Sequence, residues 1–174
     1  MILYHGTDIG SAEKIMSKIR LDVGSSKVDF GQGFYTTISP DTAKKWALRK
    51  ATVRNQKPAI VLLNFDDKAA DSIIKRFKND LDWGRFVINN RNGLDYINKI
   101  SFKEHNLDAK YSITYGRIAD YDVRDVAKRL EATGEMLQDV NEILNPFYSF
   151  QYAFHSEISL RFLDAVEIDK EVLA

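Results

Sequence analysis

The chain has 174 residues, 44% of them hydrophobic and 11% aromatic, with 25 basic and 25 acidic side chains. That length fits one domain with a sizeable core, and the aromatic content excludes a disordered chain. The absence of cysteine excludes a disulfide framework, thiolate zinc sites and a cysteine nucleophile. The zero net charge conceals an asymmetry: residues 1–60 carry ten basic and five acidic side chains, residues 121–174 five and eleven. No run reaches the roughly 18 apolar residues of a membrane span, and the start lacks a signal-peptide pattern, so the expected compartment is the cytoplasm.

In chain order, Ile2–His5 is a short apolar run stopped by Gly6 and reads as a strand. Asp8 to Ser11 supplies N-cap chemistry for a helix to about Ile19, with Ile9, Ala12, Ile15, Met16 and Ile19 on one face. After a polar loop, Gly31 and Gly33 introduce a turn feeding the strand Phe34–Thr37. Ser39-Pro40 is a strong helix start, and that helix runs to about Arg54. Its inner side reads as Ala43, Trp46, Ala47 and Lys50. Ala43–Lys57 holds Lys44, Lys45, Arg49, Lys50, Arg54 and Lys57 without one acid, as either a solvated face or a phosphate- or RNA-facing patch.

Pro58–Phe65 reads as a buried central strand. Helices are expected at about Lys68–Lys78 and Asp82–Asn90, then a strand at Tyr111–Ile118. Asp120–Thr133 and Glu135–Leu144 read as helices divided by Gly134, with Asp120 as an N-cap. The end holds a strand Ser149–His155, a short helix near Glu157–Phe162 and a strand Ala165–Ile168. Trp46 and Trp83 are expected in the core. Without a regular βαβ repeat the fold class is α+β, in one domain over residues 1–174.

The polar residues leave several chemistries open. His5, His105 and His155 are the three histidines, but their spacing supports no metal site, and none is expected. In an extended segment His155 and Glu157 share a face, while Glu157 equally suits the first turn of the helix after it. His5 beside Gly6 is either a backbone-bonded strand end or a place where a ligand approaches the main chain.

Four segments, taken together, carry a resemblance: Tyr4-His5-Gly6-Thr7, Phe30–Thr37, Phe86–Arg91 and Gln151–Glu157. They resemble a small bacterial family of ADP-ribosyltransferase-like domains in the His-Tyr-Glu branch, with diphtheria-toxin-like enzymes and poly-ADP-ribose polymerases. The resemblance spans residues 2 to about 168. It implies two small antiparallel sheets, flanked by helices, that form a cleft for NAD as substrate. The chain lacks the GxGxxG of the classical dinucleotide fold.

By that resemblance His5 bonds the adenosine-side ribose, the Gly6 backbone holds the nicotinamide carboxamide, and Tyr35 stacks on the nicotinamide ring. Thr7 and Phe34 flank them in the cleft. Glu157 bonds the nicotinamide ribose and stabilises the oxocarbenium ion. His155 is either a general base for the acceptor or a cleft-lining residue, and Gln151 orients its strand. Arg91, with Asn89 and Asn90, either binds the pyrophosphate or braces its helix. The implied activity is transfer of ADP-ribose to a macromolecular acceptor, protein or nucleic acid, by an intracellular toxin or modifier with a neutralising partner protein. The alternatives are an inactive NAD- or partner-binding module of the same fold and a metal- or His/Glu-dependent hydrolase. One departure stands out: Gly116-Arg117-Ile118-Ala119-Asp120 replaces an expected Gly-Pro-Ile-Ala-Asp, adding a cation and a free N–H at a turn.

Overall fold

Asp8 both ends the first strand, β1 (Ile2–Asp8), and starts the first helix, α1 (Ile9–Ser17). Its carboxylate accepts the Ser11 backbone N–H at 2.9 Å, so the N-cap forms where the sequence predicts it. The computed structural model describes residues 1–119, 122–133 and 149–172. The expected Asp120 cap and Glu135–Leu144 helix lie outside them.

β2 (Phe34–Thr37) leads through Ser39, which caps the Thr42 N–H at 3.2 Å, into α2 (Pro40–Arg54). β3 (Pro58–Phe65) follows, then β4 (Ile74–Lys75), α3 (Asp80–Asn92) and α4 (Leu94–Ile97). β5 (Ile113–Arg117), α5 (Arg124–Thr133), β6 (Phe150–Phe154), α6 (Glu157–Leu160) and β7 (Leu163–Asp169) complete the described elements. The fold class is α+β.

The strands form one mixed sheet in the order β4-β5-β6-β2-β1-β3-β7. Its pairs are antiparallel except β4 with β5. The structure therefore has a single sheet where two small ones were expected. Its joint is narrow, however: β1 pairs with β3 along all seven residues but meets β2 only at Tyr4↔Thr37.

One core cluster, with Leu3, Phe34, Val61, Phe65, Ile113 and Phe154, runs across this joint. A second contains Phe30, Trp83, Phe86, Val87 and Ile88. Trp83 is buried as predicted and donates its indole N–H to the Arg117 carbonyl at 3.1 Å.

Three local expectations are corrected. Trp46 is 38% exposed, with the Arg49 guanidinium 5.4 Å from its ring centroid. The buried face of α2 is the row Ala43, Ala47, Ala51, whose small side chains let the helix press on β1, and Trp46 lies beside that row. Lys68–Lys78 contains only one 3₁₀ turn, Asp71–Ile73, before β4. Ile74 is buried there by pairing with Ile113, and that tertiary contact outweighs local helix propensity. Arg117 is the last residue of β5, paired with Phe150, rather than a turn residue. Its guanidinium reaches Asp80 at 3.5 Å and lies 5.8 Å from the Phe150 ring centroid.

Candidate functional site

The antiparallel registers bring the C-terminal end of β1, the start of β2 and the end of β6 to one end of the sheet. Beyond Tyr4↔Thr37 the ladder between β1 and β2 gives way to a side chain. His5 Nδ1 lies 2.6 Å from the Tyr35 carbonyl oxygen, so the imidazole joins the two strands in place of a backbone pair. Its ring also stacks on Phe34, with centroids 4.6 Å apart and planes 21° from parallel.

That contact defines the state of the ring. A carbonyl only accepts, so Nδ1 carries the proton and donates, leaving the Nε2 lone pair for other partners. Lys50 Nζ lies 3.5 Å from that Nε2. Burial, together with the nearby Lys50 cation, pulls the His5 pKa from 6.5 down to about 3, so the ring is neutral at physiological pH.

Lys50 comes from α2, which approaches β1 this closely because residue 6 is glycine. A Cβ on Gly6 would stand 1.8 Å from the Ala43 carbonyl oxygen and 2.8 Å from the Ala47 nitrogen. Arg54, one turn further along, donates to the buried Asp8 carboxylate at 2.6 Å. Burial opposes ionisation of Asp8, but the Ser11 N–H and hydroxyl and Arg54 outweigh it and hold its pKa at about 2. Burial and the like charge of Arg54 bring Lys50 down to about 8, which leaves it mostly protonated at neutral pH.

Tyr35, in β2, is anchored to the loop that precedes the strand. Its hydroxyl donates to the Gly31 carbonyl at 2.7 Å and accepts the Phe30 N–H at 2.9 Å. Burial, and then Asp29, push its pKa well above the usual 10, so the phenol keeps the proton it donates. Its ring lies against Phe30 on one side and meets His155 edge-on, centroids 6.5 Å apart.

Asp29 in that loop is the centre of a buried polar knot. One carboxylate oxygen accepts Arg91 Nε at 2.8 Å and also Nη2. The other accepts the Ala119 N–H at 3.0 Å and Gln151 Nε2 at 2.7 Å. Asn90 Nδ2 donates to the Asp29 carbonyl at 3.2 Å, and Asn89 Nδ2 to the Phe102 and Glu104 carbonyls at 2.9 Å each. Arg91, Asn90 and Gln151 thus brace the loop that holds the Tyr35 hydroxyl.

His155 is 7% exposed, and both ring nitrogens are engaged. Nδ1 lies 2.7 Å from the Gln32 carbonyl, to which it donates, and Nε2 lies 3.2 Å from the Thr114 hydroxyl. Burial lowers its pKa to about 4. Gly33 permits this placement, because a Cβ there would stand 2.5 Å from the Phe154 carbonyl oxygen and 2.7 Å from His155 Nδ1.

Thr7 and Phe34 are buried at the same end. Glu157 is different. It is exposed as the first residue of α6, where Ser156 forms the cap, and it has no hydrogen bond or ion pair among the described residues. His105 sits in the loop before β5, where its Nδ1 accepts the Leu107 N–H at 3.2 Å. Among the described residues no three metal-ligating side chains converge.

A model for a family described as "Protein of unknown function (DUF3990)" matches residues 1–164. The chain belongs to that family. No curated protein and no solved structure matches it. The DUF3990 match covers His5, Tyr35, Lys50, Asp29 and Glu157 alike, so the whole end of the sheet described here is family territory. Also among the described residues, no helix is long and apolar enough to cross a membrane.

Sequence reasoning singled out neither Asp29 nor the Lys50–His5 contact. Asp29 is remote in sequence from Arg91, Ala119 and Gln151, and nothing local signals that they meet. For Lys50 a signal existed in its place on the α2 face toward β1, obscured by the surrounding run of cations.

Proposed function

We propose that this DUF3990 chain is a mono-ADP-ribosyltransferase that moves ADP-ribose from NAD⁺ to a macromolecular acceptor and releases nicotinamide. The observation that carries the reading is a contrast at one end of the sheet. His5 and Tyr35 are fixed to each other across the narrow β1/β2 joint, while the Glu157 carboxylate stands exposed beyond β6. The narrow joint also makes the single sheet compatible with two half-sheets opening onto a nucleotide cleft.

NAD⁺ supplies an N-glycosidic bond whose cleavage sends its electron pair to the nicotinamide nitrogen and leaves positive charge at the ribose C1′. Glu157 opposes that developing charge, and a preorganised carboxylate is most effective because the charge appears only in the transition state. His5, neutral and held by its Nδ1–H, keeps Nε2 available as an acceptor for a ribose hydroxyl. Tyr35, half-buried and anchored through its hydroxyl, supplies the flat aromatic ring for the cationic nicotinamide in this scheme. The acceptor's nucleophilic atom then bonds to C1′ and loses its proton to solvent. His155, with both nitrogens engaged, serves in this scheme to hold the Gln32–Gly33 turn.

Purified protein with NAD⁺ is expected to release nicotinamide, measured chromatographically, and Glu157→Gln to lower that rate about 10²-fold or more without loss of folding. An unchanged rate in Glu157→Gln would overturn the mechanism. NAD⁺ binding without nicotinamide release from wild type would instead identify an inactive binding module.

A further inference from the structure

Three cations have been described beside the His5–Tyr35 contact and the loop behind it, and their partners differ. Arg54 is held by the buried Asp8 carboxylate at 2.6 Å, and Arg91 by Asp29. Lys50 is half-buried, touches a neutral imidazole nitrogen at 3.5 Å, and has no carboxylate within ion-pair distance among the described residues. A half-buried ammonium normally has a counter-charge, because taking it out of water is costly unless it is paired. Here Arg54 is a neighbouring like charge, and Asp8, which attracts Lys50 from a distance, makes its ion pair with that arginine.

We infer that Lys50 is the anion-reading residue of the site, and that its ammonium binds a phosphate oxygen of the ligand whose ribose His5 accepts. The inference rests on the dinucleotide reading for the identity of that ligand, but the anion site can be tested without it. Arg91, for which pyrophosphate binding and bracing were both open, is turned into the Asp29 knot, where its Nε and Nη2 converge on one carboxylate oxygen. Lys50 provides a compact charge on a flexible stem that can leave His5 Nε2 for a phosphate oxygen and make a stronger, charge-assisted bond. That exchange frees Nε2 for the ribose hydroxyl, so one movement prepares both contacts.

The test uses the full chain with ¹⁵N-labelled histidine and inorganic pyrophosphate as the probe. Titration is expected to shift the His5 ring nitrogen signals in wild type, to leave them unmoved in Lys50→Met, and to shift them again in Lys50→Arg. In calorimetry, Lys50→Met should weaken ADP-ribose binding roughly tenfold or more while leaving adenosine binding unchanged. Lys50→Gln serves as a second neutral variant if Lys50→Met folds poorly. An equal pyrophosphate response in wild type and both neutral variants, or none in wild type, would overturn the inference. A pyrophosphate response that depends on Lys50, with no nicotinamide release from NAD⁺, would remove the transferase reading and leave the anion site standing.

Discussion

The polar knot around Asp29 and the pair formed by Lys50 and Glu157 put opposite demands on the same kinds of group. In the knot, every oxygen of a buried carboxylate is met by arginine, glutamine or backbone donors. Lys50, on the β1 side of β2, and Glu157, on the β6 side, form no ion pair with any described residue. A satisfied buried network has nothing left to offer a ligand but fixes the loop that holds the Tyr35 hydroxyl. A charge outside any ion pair contributes little to the fold and keeps its interaction energy for a partner. The difference teaches which residues to assign to the scaffold and which to the chemistry.

The comparison is most directly broken at Asp29. Asp29→Ala removes the buried carboxylate shared by Arg91, Gln151 and the Ala119 N–H, and is expected to cost about 3–5 kcal/mol in denaturant unfolding. A loss below about 1 kcal/mol would show that the knot does not hold the loop. Glu157→Gln should give the opposite pattern: activity falls as stated above, while unfolding free energy stays within about 0.5 kcal/mol of wild type. If both variants lose stability alike, the division into scaffold and chemistry fails.

Gly6→Ala tests whether the close seat of α2 on β1 places Lys50. The added methyl meets the Ala43 carbonyl, so the helix must shift, at a cost of about 1–3 kcal/mol. Nicotinamide release should fall with it, because Lys50 moves away from His5. Full activity in a destabilised Gly6→Ala would separate the packing of α2 from the site.

Acid titration examines the buried histidines. Each is neutral in the native state and takes a proton more readily when unfolded, so stability must fall as pH drops below 6.5. The loss continues to about pH 4 for His155 and about pH 3 for His5, the values at which each ring protonates in the folded chain. Where one such histidine is fully protonated unfolded and neutral folded, the slope is about 1.4 kcal/mol per pH unit. A flat unfolding free energy between pH 6.5 and 4 would show that neither ring is held neutral. The smallest effect is expected at the exposed Trp46, where Trp46→Ala should change stability by less than about 0.5 kcal/mol.

Much of the fold was legible because the decisive signals are local. Asp8 and Ser39 cap the helices they precede, and the apolar run Pro58–Phe65 is a largely buried strand as expected, though second from the sheet edge rather than central. Reading failed at Lys68–Lys78, where a two-residue strand pairs with a partner nearly forty residues away, and at Trp46, which a helical pattern alone could not separate from the neighbouring alanine row. His5, Tyr35 and Glu157 could be named from motif order, but not their circumstances. The sequence by itself determined most element types and the α+β class, since these depend on contacts within a few residues, and it named candidate residues for the site. Tertiary structure alone decided that His5 is neutral, that Arg91 faces Asp29, and that Lys50 stands beside His5 without an ion pair among the described residues. Burial and charge pairing are set by which distant segments meet, and a linear sequence does not contain those distances.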